Sequence, residues 1–542
     1  MTLAANNLRS YETRNKRHET GWRHWHVSPS FLFLERNGIM EFENMLAKSL
    51  TKMGHSKLTE NGANALDSTL DPVLDLFATI GAVRDWKRSD IIDLFDDAYD
   101  ADRLLATKIL FYARDIRGGL GERRTFRILL NHCAKYHPEA IVNNIQLIDE
   151  YGRFDDLYEL LSTPLENDMW SLMKAQLKVD ICHMQDNQPV SLLAKWIKTP
   201  DASSKNTRYI GLITASHLGY KTRDFKRILR KLRKYLKVTE VDMSANKWDE
   251  INYPNVPSRA AMIYHKAFWK HDPDRYGQYI EDVKAGKNKI NAGTLYPYDL
   301  IERYSPRGII IVGDEFVDDV VEEQWKALPN YVSEDYGNML VMADVSGSMS
   351  GRPMATSVGL AIYFAERNKG AFKDMFITFS DRPRICNIGS DTTLLKKMSQ
   401  VYEFGKNGYN TNMEAAFNCI LDLAVRDNIP QSDMPNALII ISDMEFDEIE
   451  GSRYSATNMT FYDEMKERYE VHGYKLPHII FWNVRGTGTF HTTSDTKGVT
   501  MISGQSTTSF KNFLMAIEGS TPVDFMLNVI NSERYQMITL AE

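Results

Sequence analysis

Only four cysteines occur in 542 residues (Cys133, Cys182, Cys386 and Cys419), far apart and without a CxxC pair. A disulfide framework is thereby excluded, and a reduced, intracellular setting is expected, with all four as small core residues. Long apolar runs are also missing, and none reaches the length that spans a bilayer. The opening MTLAANNLRSYETRNKRHET lacks the apolar core of a secretion signal, so neither a membrane role nor export is expected. Positive charge is not in excess. The net charge of -7 argues against a protein coated in basic residues, although a local basic face depends on where charge sits. Biased low-complexity tracts are absent, and 43% hydrophobic and 25% charged residues describe an ordinary globular chain, with disorder expected only near the termini. No GxxxxGK[ST] phosphate loop and no GxSxG elbow occurs, and His472, His478 and His491 are scattered with none placed as a base. The chain is read as a non-enzyme.

The length itself predicts two or more domains. Residues 1–60 read as an N-terminal arm: Arg9 to Arg23 is polar and mildly basic, and Phe31–Leu34 and Met40–Leu50 offer apolar patches. The two histidines of WRHWH (Trp22 to His26) have no Cys or carboxylate at metal spacing, so no zinc site is expected there. Over 61–300 the apolar period is helical, as in Ile91–Leu94, Leu104–Tyr112, Phe126–Leu130, Ile141–Ile148, Leu157–Leu161 and Ala260–Phe268. Many moderate helices with short breaks predict stacked pairs, a solenoid of HEAT type. Residues 301–334 are acidic and read as a connecting segment.

At 335 the pattern changes. Strand patterns at Asn338–Met342, Met375–Phe379, Ala437–Ile441, His478–Trp482 and Val499–Ile502 alternate with helix patterns near 353–367, 413–425, 461–469 and 510–517. Alternation of this kind predicts a parallel sheet covered on both faces over 335–520. Residues 521–542 hold a last helix, Val523–Ile530, expected to pack back on the solenoid.

The chemistry sits at strand ends. Asp344, Ser346 and Ser348 form D-x-S-x-S after a buried strand, Thr411 precedes a helix, and Asp443 follows the strand ALIII. Magnesium, small and hard, takes six oxygens at short range, and three loops at the carboxyl edge of one sheet can converge on it. One Mg²⁺ (or Mn²⁺) is therefore expected. Thr411 with Glu414 also reads as a capping box, and Glu445 and Asp447 read as a solvated loop. DVSGSM, the threonine of NTNMEAA and the later ISD together resemble the metal-ion-dependent adhesion site of von Willebrand factor A domains. The resemblance implies direct contacts from Ser346, Ser348 and Thr411, contacts through water from Asp344 and Asp443, and a partner protein's acidic side chain at the sixth position.

Two basic clusters mark the helical half. RDIRGGLGERRTFR carries Arg114, Arg117, Arg123, Arg124 and Arg127 around three glycines. KTRDFKRILRKLRKYLK carries Lys221, Arg223, Lys226, Arg227, Arg230, Lys231, Arg233 and Lys234, with Phe225, Leu229, Leu232 and Leu236 as an apolar stripe on the other side. Such a helix offers sequence-independent, salt-sensitive contacts to phosphates, while a solvated surface face and, for the first cluster, pairing with acidic neighbours are the plain alternatives. Residues 204–302, with LRKYLKVTEVDMSANKWDEINYPNVPSRAAMIYHKAF and INAGTLYPYDLIE, resemble the helical part of the TROVE module. That module, followed by an A domain, makes the Ro autoantigen family. The likeness is nearer still to a sister family of plants, fungi and large DNA viruses that shares LRK, the W-x-x-I-x-Y-x-x-VPS run and the domain order. It implies a ring of HEAT-like helices that grips single-stranded RNA ends in its hole and structured RNA on its rim. The expected fold is thus α plus α/β, and the expected function an RNA-binding scaffold for structured or misfolded noncoding RNA, with a metal-dependent A domain for a protein partner. The alternative is a protein-interaction or viral/phage assembly scaffold acting through the metal site without RNA. A cytoplasmic setting is expected, or a virion if the chain is phage-encoded.

Overall fold

The computed structural model describes residues 54–60, 64–305, 316–330, 332, 338–379, 382–390, 392–405, 413–446, 461–506 and 520–542. Nearly all of the predicted arm, Thr411, Asp447 and the helix predicted near 510–517 lie outside these residues. Within them a helical part precedes a mostly parallel sheet, an α plus α/β architecture. No helix among the described residues is long and apolar enough to cross a membrane.

A short hairpin, β1 (Ser56–Leu58) with β2 (Asn64–Leu66), opens the described chain. Helices follow as α1 (Pro72–Thr79), α2 (Arg88–Ala101), α3 (Arg103–Arg114), α4 (Arg124–Tyr136), α5 (Glu166–Gln185), α6 (Lys205–His217) and α7 (Thr222–Tyr235), then α8 (Ser258–His271), α9 (Pro273–Lys284), α10 (Pro297–Tyr304) and α11 (Asp319–Lys326). Local chemistry sets the breaks. Asp102 sits in extended backbone, which stops α2, and its carboxylate accepts the Leu105 amide, which starts α3. On α7 the predicted stripe is buried at Phe225, Leu229 and Leu232. Leu236, at the C-cap, is half-buried.

The sheet contains β3 (Asn338–Ala343), β4 (Met375–Thr378), β5 (Ile385–Asn387), β6 (Pro435–Ser442), β7 (His478–Asn483) and β8 (Val499–Ser503) in the order β5-β4-β3-β6-β7-β8. All neighbours are parallel except β4 with β5. Helices α12 (Arg352–Arg367), α13 (Leu394–Gly405), α14 (Met413–Asp427) and α15 (Phe461–Val471) connect and cover the strands, and α16 (Pro522–Ile530) follows them. Alternation divides each central strand between two cores. Leu340, Met342, Leu438, Ile440 and Phe481 join a core under α14 and α15. Met339, Val341, Ile439, Ile441 and Trp482 face the other way, into a core continuous with that of the helical part.

Two close backbone approaches weld the parts. A Cβ on Gly359 of α12 would stand 3.0 Å from the Pro297 Cβ and 3.1 Å from its carbonyl carbon, so glycine lets α10 cross closer than a side chain would without a shift of a few tenths of an ångström. A Cβ on Gly81, just past α1, would meet the Gly504 nitrogen at 2.7 Å, and Ser503 Oγ accepts the Gly81 amide. The last segment reaches back as well. Arg534 donates from Nε to Asp115 Oδ2 at 2.6 Å and from Nη2 to Oδ1 at 2.9 Å, and the Tyr535 hydroxyl donates to the same buried carboxylate. All four cysteines are unpaired, but Cys182 is exposed, contrary to its expected place in the core. It lies five residues past Leu177, about 140° round the helix from that buried position.

Candidate functional site

The register of β3 against β6 sets Ala343 beside Ile441, so Asp344 and the Ser442–Asp443 pair emerge together at the carboxyl edge of the sheet. Both carboxylates are buried, Asp344 at 1% and Asp443 at 3% exposure. Asp344 Oδ1 accepts the Ser346 amide at 2.8 Å, and Oδ2 accepts the Ser442 hydroxyl at 2.9 Å. Above them Ser346 and Ser348 pair their hydroxyls at 3.0 Å, nearer the solvent. Burial, reinforced by the charge of Asp443, pushes the Asp344 carboxyl up to about 6 despite the hydrogen bonds from Ser346 and Ser442. Four of the five predicted metal residues therefore converge, while Thr411 lies outside the described residues. An all-oxygen set of two hydroxyls and two carboxylates fits a small, hard divalent cation, with Ser346 and Ser348 placed to contact it and the carboxylates behind them.

Beside this edge lies a recess of about 480 Å³ lined by Lys57, Trp86, Ser348, Asp443, Glu445 and Arg485, among others. Glu445 is not in a solvated loop as its sequence context suggested. It is 8% exposed, and its carboxylate accepts the Glu60 amide and the Thr489 hydroxyl, which ties the β1–β2 hairpin region to the sheet edge. Arg485, which no motif marked, donates to the Ser348 carbonyl from the end of β7.

The two basic clusters meet in one cleft of about 1320 Å³. From the first it takes Arg114, Arg123 and Arg124, and from α7 it takes Lys226, Arg230 and Arg233. Arg84, Arg153, Lys195, Arg259 and Arg352 complete its basic lining, against Glu122, Asp201 and Glu240 as the acids. Trp196, Tyr264, Tyr296 and Tyr298 supply aromatic walls, with the Arg153 guanidinium 4.1 Å from the Trp196 ring centroid. The predicted residues Arg117, Arg127, Lys221, Arg223, Arg227, Lys231 and Lys234 are not among those lining the cleft.

Much of this charge is already partnered. Arg114 is buried and bonds Asp156 at 2.7 Å, and Arg127 bonds Asp156 at 2.6 Å and Asp155 at 2.8 Å. Arg123 and Arg153 also reach Asp155, and Arg127 reaches Glu159 at 3.8 Å, so four guanidinium groups share three carboxylates and one positive charge is left over. Burial alone would raise the Asp155 carboxyl, but Arg153, Arg127 and Arg123 together hold it below its usual range. Arg124 holds the carbonyls of Arg84 and Trp86. Arg233 is half-buried and donates to the Ala194 carbonyl at 2.7 Å, rather than standing in solvent on the open side of α7. Arg230 is exposed at the cleft, and Arg123, Arg259 and Arg352 keep 49%, 51% and 44% of their side chains accessible, so each can meet a ligand there.

Residues 338–535 match a family described as a domain of unknown function (DUF7788), and residues 59–179 and 212–337 match a second domain of unknown function (DUF2828). The chain is also similar to an uncharacterized protein (L728) of Acanthamoeba polyphaga mimivirus, with 27% identity over 518 residues that cover 88% of each chain.

Proposed function

We propose that this protein is an RNA-binding scaffold of the Ro type. Its helical part, read as a TROVE-like solenoid or ring of HEAT-type helices, holds structured or misfolded noncoding RNA. Its sheet part, read as a von Willebrand factor A domain, binds Mg²⁺ (or Mn²⁺) and, through the ion, an acidic side chain of a protein partner. No catalytic step is assigned. The observation that carries the RNA half is the cleft, where residues from both basic clusters and five further cationic side chains face one space with aromatic walls. Phosphates suit such a lining, and the aromatic rings suit unpaired bases. The carboxyl-edge set of Asp344, Ser346, Ser348 and Asp443 supports the metal half, with Thr411 as the fifth ligand implied by resemblance. An intracellular setting, cytoplasmic or in a virion for a virus-encoded chain, accords with four unpaired cysteines.

Binding of a structured RNA with single-stranded ends, measured against salt, tests this reading. Three simultaneous phosphate contacts weaken binding about 20-fold over a fourfold rise in salt. A second reading, a protein-interaction or viral assembly scaffold without RNA, draws on the commitment of Arg114, Arg123 and Arg127 to Asp155 and Asp156, and on the likeness to a viral protein. Absence of RNA affinity at low salt, together with no nucleic acid in the purified protein, selects the second reading.

A further inference from the structure

Away from both sites, three side chains of metal-ligating type meet between α2 and α4. Asp96 projects from α2, His132 from the C-terminal half of α4, and His137 is the residue that caps that helix. His132 Nε2 lies 2.9 Å and 3.1 Å from the two Asp96 oxygens, and His137 Nε2 lies 3.3 Å from Asp96 Oδ1. One donor atom from each residue falls within 4.8 Å of the others. None of the three lines the basic cleft. Arg124, at the opposite end of α4, is about 12 Å away along the helix axis.

The end of α4 makes this convergence possible. In a continuing helix, residues five apart point about 140° away from each other. His137 instead has φ -134° and ψ 54°, outside the helical region, and this turns its ring back toward that of His132. Aromatic neighbours then hold both imidazoles. The Tyr99 ring lies 4.3 Å from that of His137, with its hydroxyl anchored on Glu139, and the Tyr136 ring lies 5.0 Å from that of His132.

Two imidazoles aimed at one carboxylate can be joined by hydrogen bonds alone, each ring donating from Nε2. Each nitrogen also stands from the Asp96 carboxylate at about the spacing that ligands adopt around a shared ion, with the two nitrogens within 4.8 Å of each other. Metal–ligand distances of about 2.0–2.2 Å place neighbouring donors roughly 3–3.5 Å apart. Two imidazoles and a carboxylate favour ions of the zinc class over magnesium, which prefers oxygen throughout. The Asp96 side chain is 38% exposed and that of His137 22%, which leaves an entry path and room for water as a further ligand. We propose that Asp96, His132 and His137 form a second metal site, for a divalent transition ion such as Zn²⁺, that ties α2 to α4 independently of the oxygen site at the sheet edge.

The test uses the full chain, stripped with chelator and then held in millimolar Mg²⁺ so that the sheet edge is saturated. Calorimetric titration with Zn²⁺ is expected to show a site that raises the midpoint of thermal unfolding. His137→Gln and Asp96→Asn are each expected to weaken it by more than about 100-fold, beyond what losing a mere supporting partner costs. Ser346→Ala with Ser348→Ala is expected to leave it unchanged. X-ray absorption of zinc bound to the unaltered protein is expected to show imidazole scattering, and this reading needs no variant to fold. Zinc that does not bind in excess Mg²⁺, a first shell without imidazole, retention by both single variants, or loss in the double serine variant each overturn the site. None of these outcomes bears on whether RNA binds the cleft.

Discussion

Ser442 is wholly buried and carries no charge, yet its hydroxyl is what steadies Oδ2 of Asp344. Ser442→Ala is therefore expected to weaken Mg²⁺ binding about 10-fold in calorimetry on the full chain, as loss of a supporting partner does. Undiminished affinity in that variant would separate Asp344 from the metal. His478 and His491 make a second case. Burial lowers both to about 4, in His491 against the opposing pull of the Met444 carbonyl that accepts from its Nε2, so each is held neutral in the folded state. Unfolded histidine takes up its proton near 6.5. Their contribution is thus complete above about 6.5 and is lost as pH falls toward about 4. The urea midpoint is expected to drop between neutral pH and about 5, and to drop less in the His478→Gln, His491→Gln double variant. The candidate ligands Asp344, Ser346, Ser348 and Asp443 were legible because each closely follows a strand in the sequence itself. Arg485 and the part played by Ser442 were not, since one lies far along the chain and the other is set by the register of β6 against β3. Asp96, His132 and His137 escaped because a helix end, which leaves no spacing rule, brings the histidines together.

Helix α7 carries its prediction on two sides. Lys226 and Arg230 line the cleft, whereas Lys231 and Lys234 are exposed but do not. Changing the first pair to Glu is expected to reduce RNA affinity at least 10-fold, and changing the second pair to have little effect, by titration at fixed low salt. Equal losses in the two pairs would reduce the cleft to general electrostatics. Leu232→Asp, which puts an unpaired charge at a fully buried position, is expected to cost more than about 3 kcal/mol in urea unfolding. The stripe of α7 was readable because period and burial coincide there, and the five predicted strands because each is a short run of almost unbroken burial. Val142–Leu147 and Phe154–Leu160 instead form 3₁₀ helices where the segments Ile141–Ile148 and Leu157–Leu161 were expected to follow the roughly 3.6-residue period. Pro138 and Gly152 bracket that first stretch, and Asp156 accepts the Arg153 amide, which caps the start of the second. Strand β5 was unreadable because three residues at a sheet edge carry no period.

Taken whole, the described chain does not divide where its sequence pattern does. A boundary at 335 marks a true change of secondary structure, but the core runs across it through α10, α12 and the inner face of the sheet. Composition cannot reveal this, because the glycines at 81, 359 and 504 look like any others. Thermal and urea unfolding are expected to give one transition, with far-ultraviolet circular dichroism and tryptophan fluorescence coinciding, and two separated transitions would show that the halves are independent. Arg534→Ala is expected to destabilise the protein by about 3 kcal/mol, because Asp115 stays buried without its partner; the value is at the low end for such pairs since Arg534 is itself 31% exposed. That ion pair also has a meaning in time. Asp115 precedes Arg534 by 419 residues, an interval of roughly 20–80 s at ordinary speeds of synthesis. Throughout it the nascent helical part holds a carboxylate whose counter-ion has not yet been made, so the first-made helices can settle fully only once Arg534 has been added.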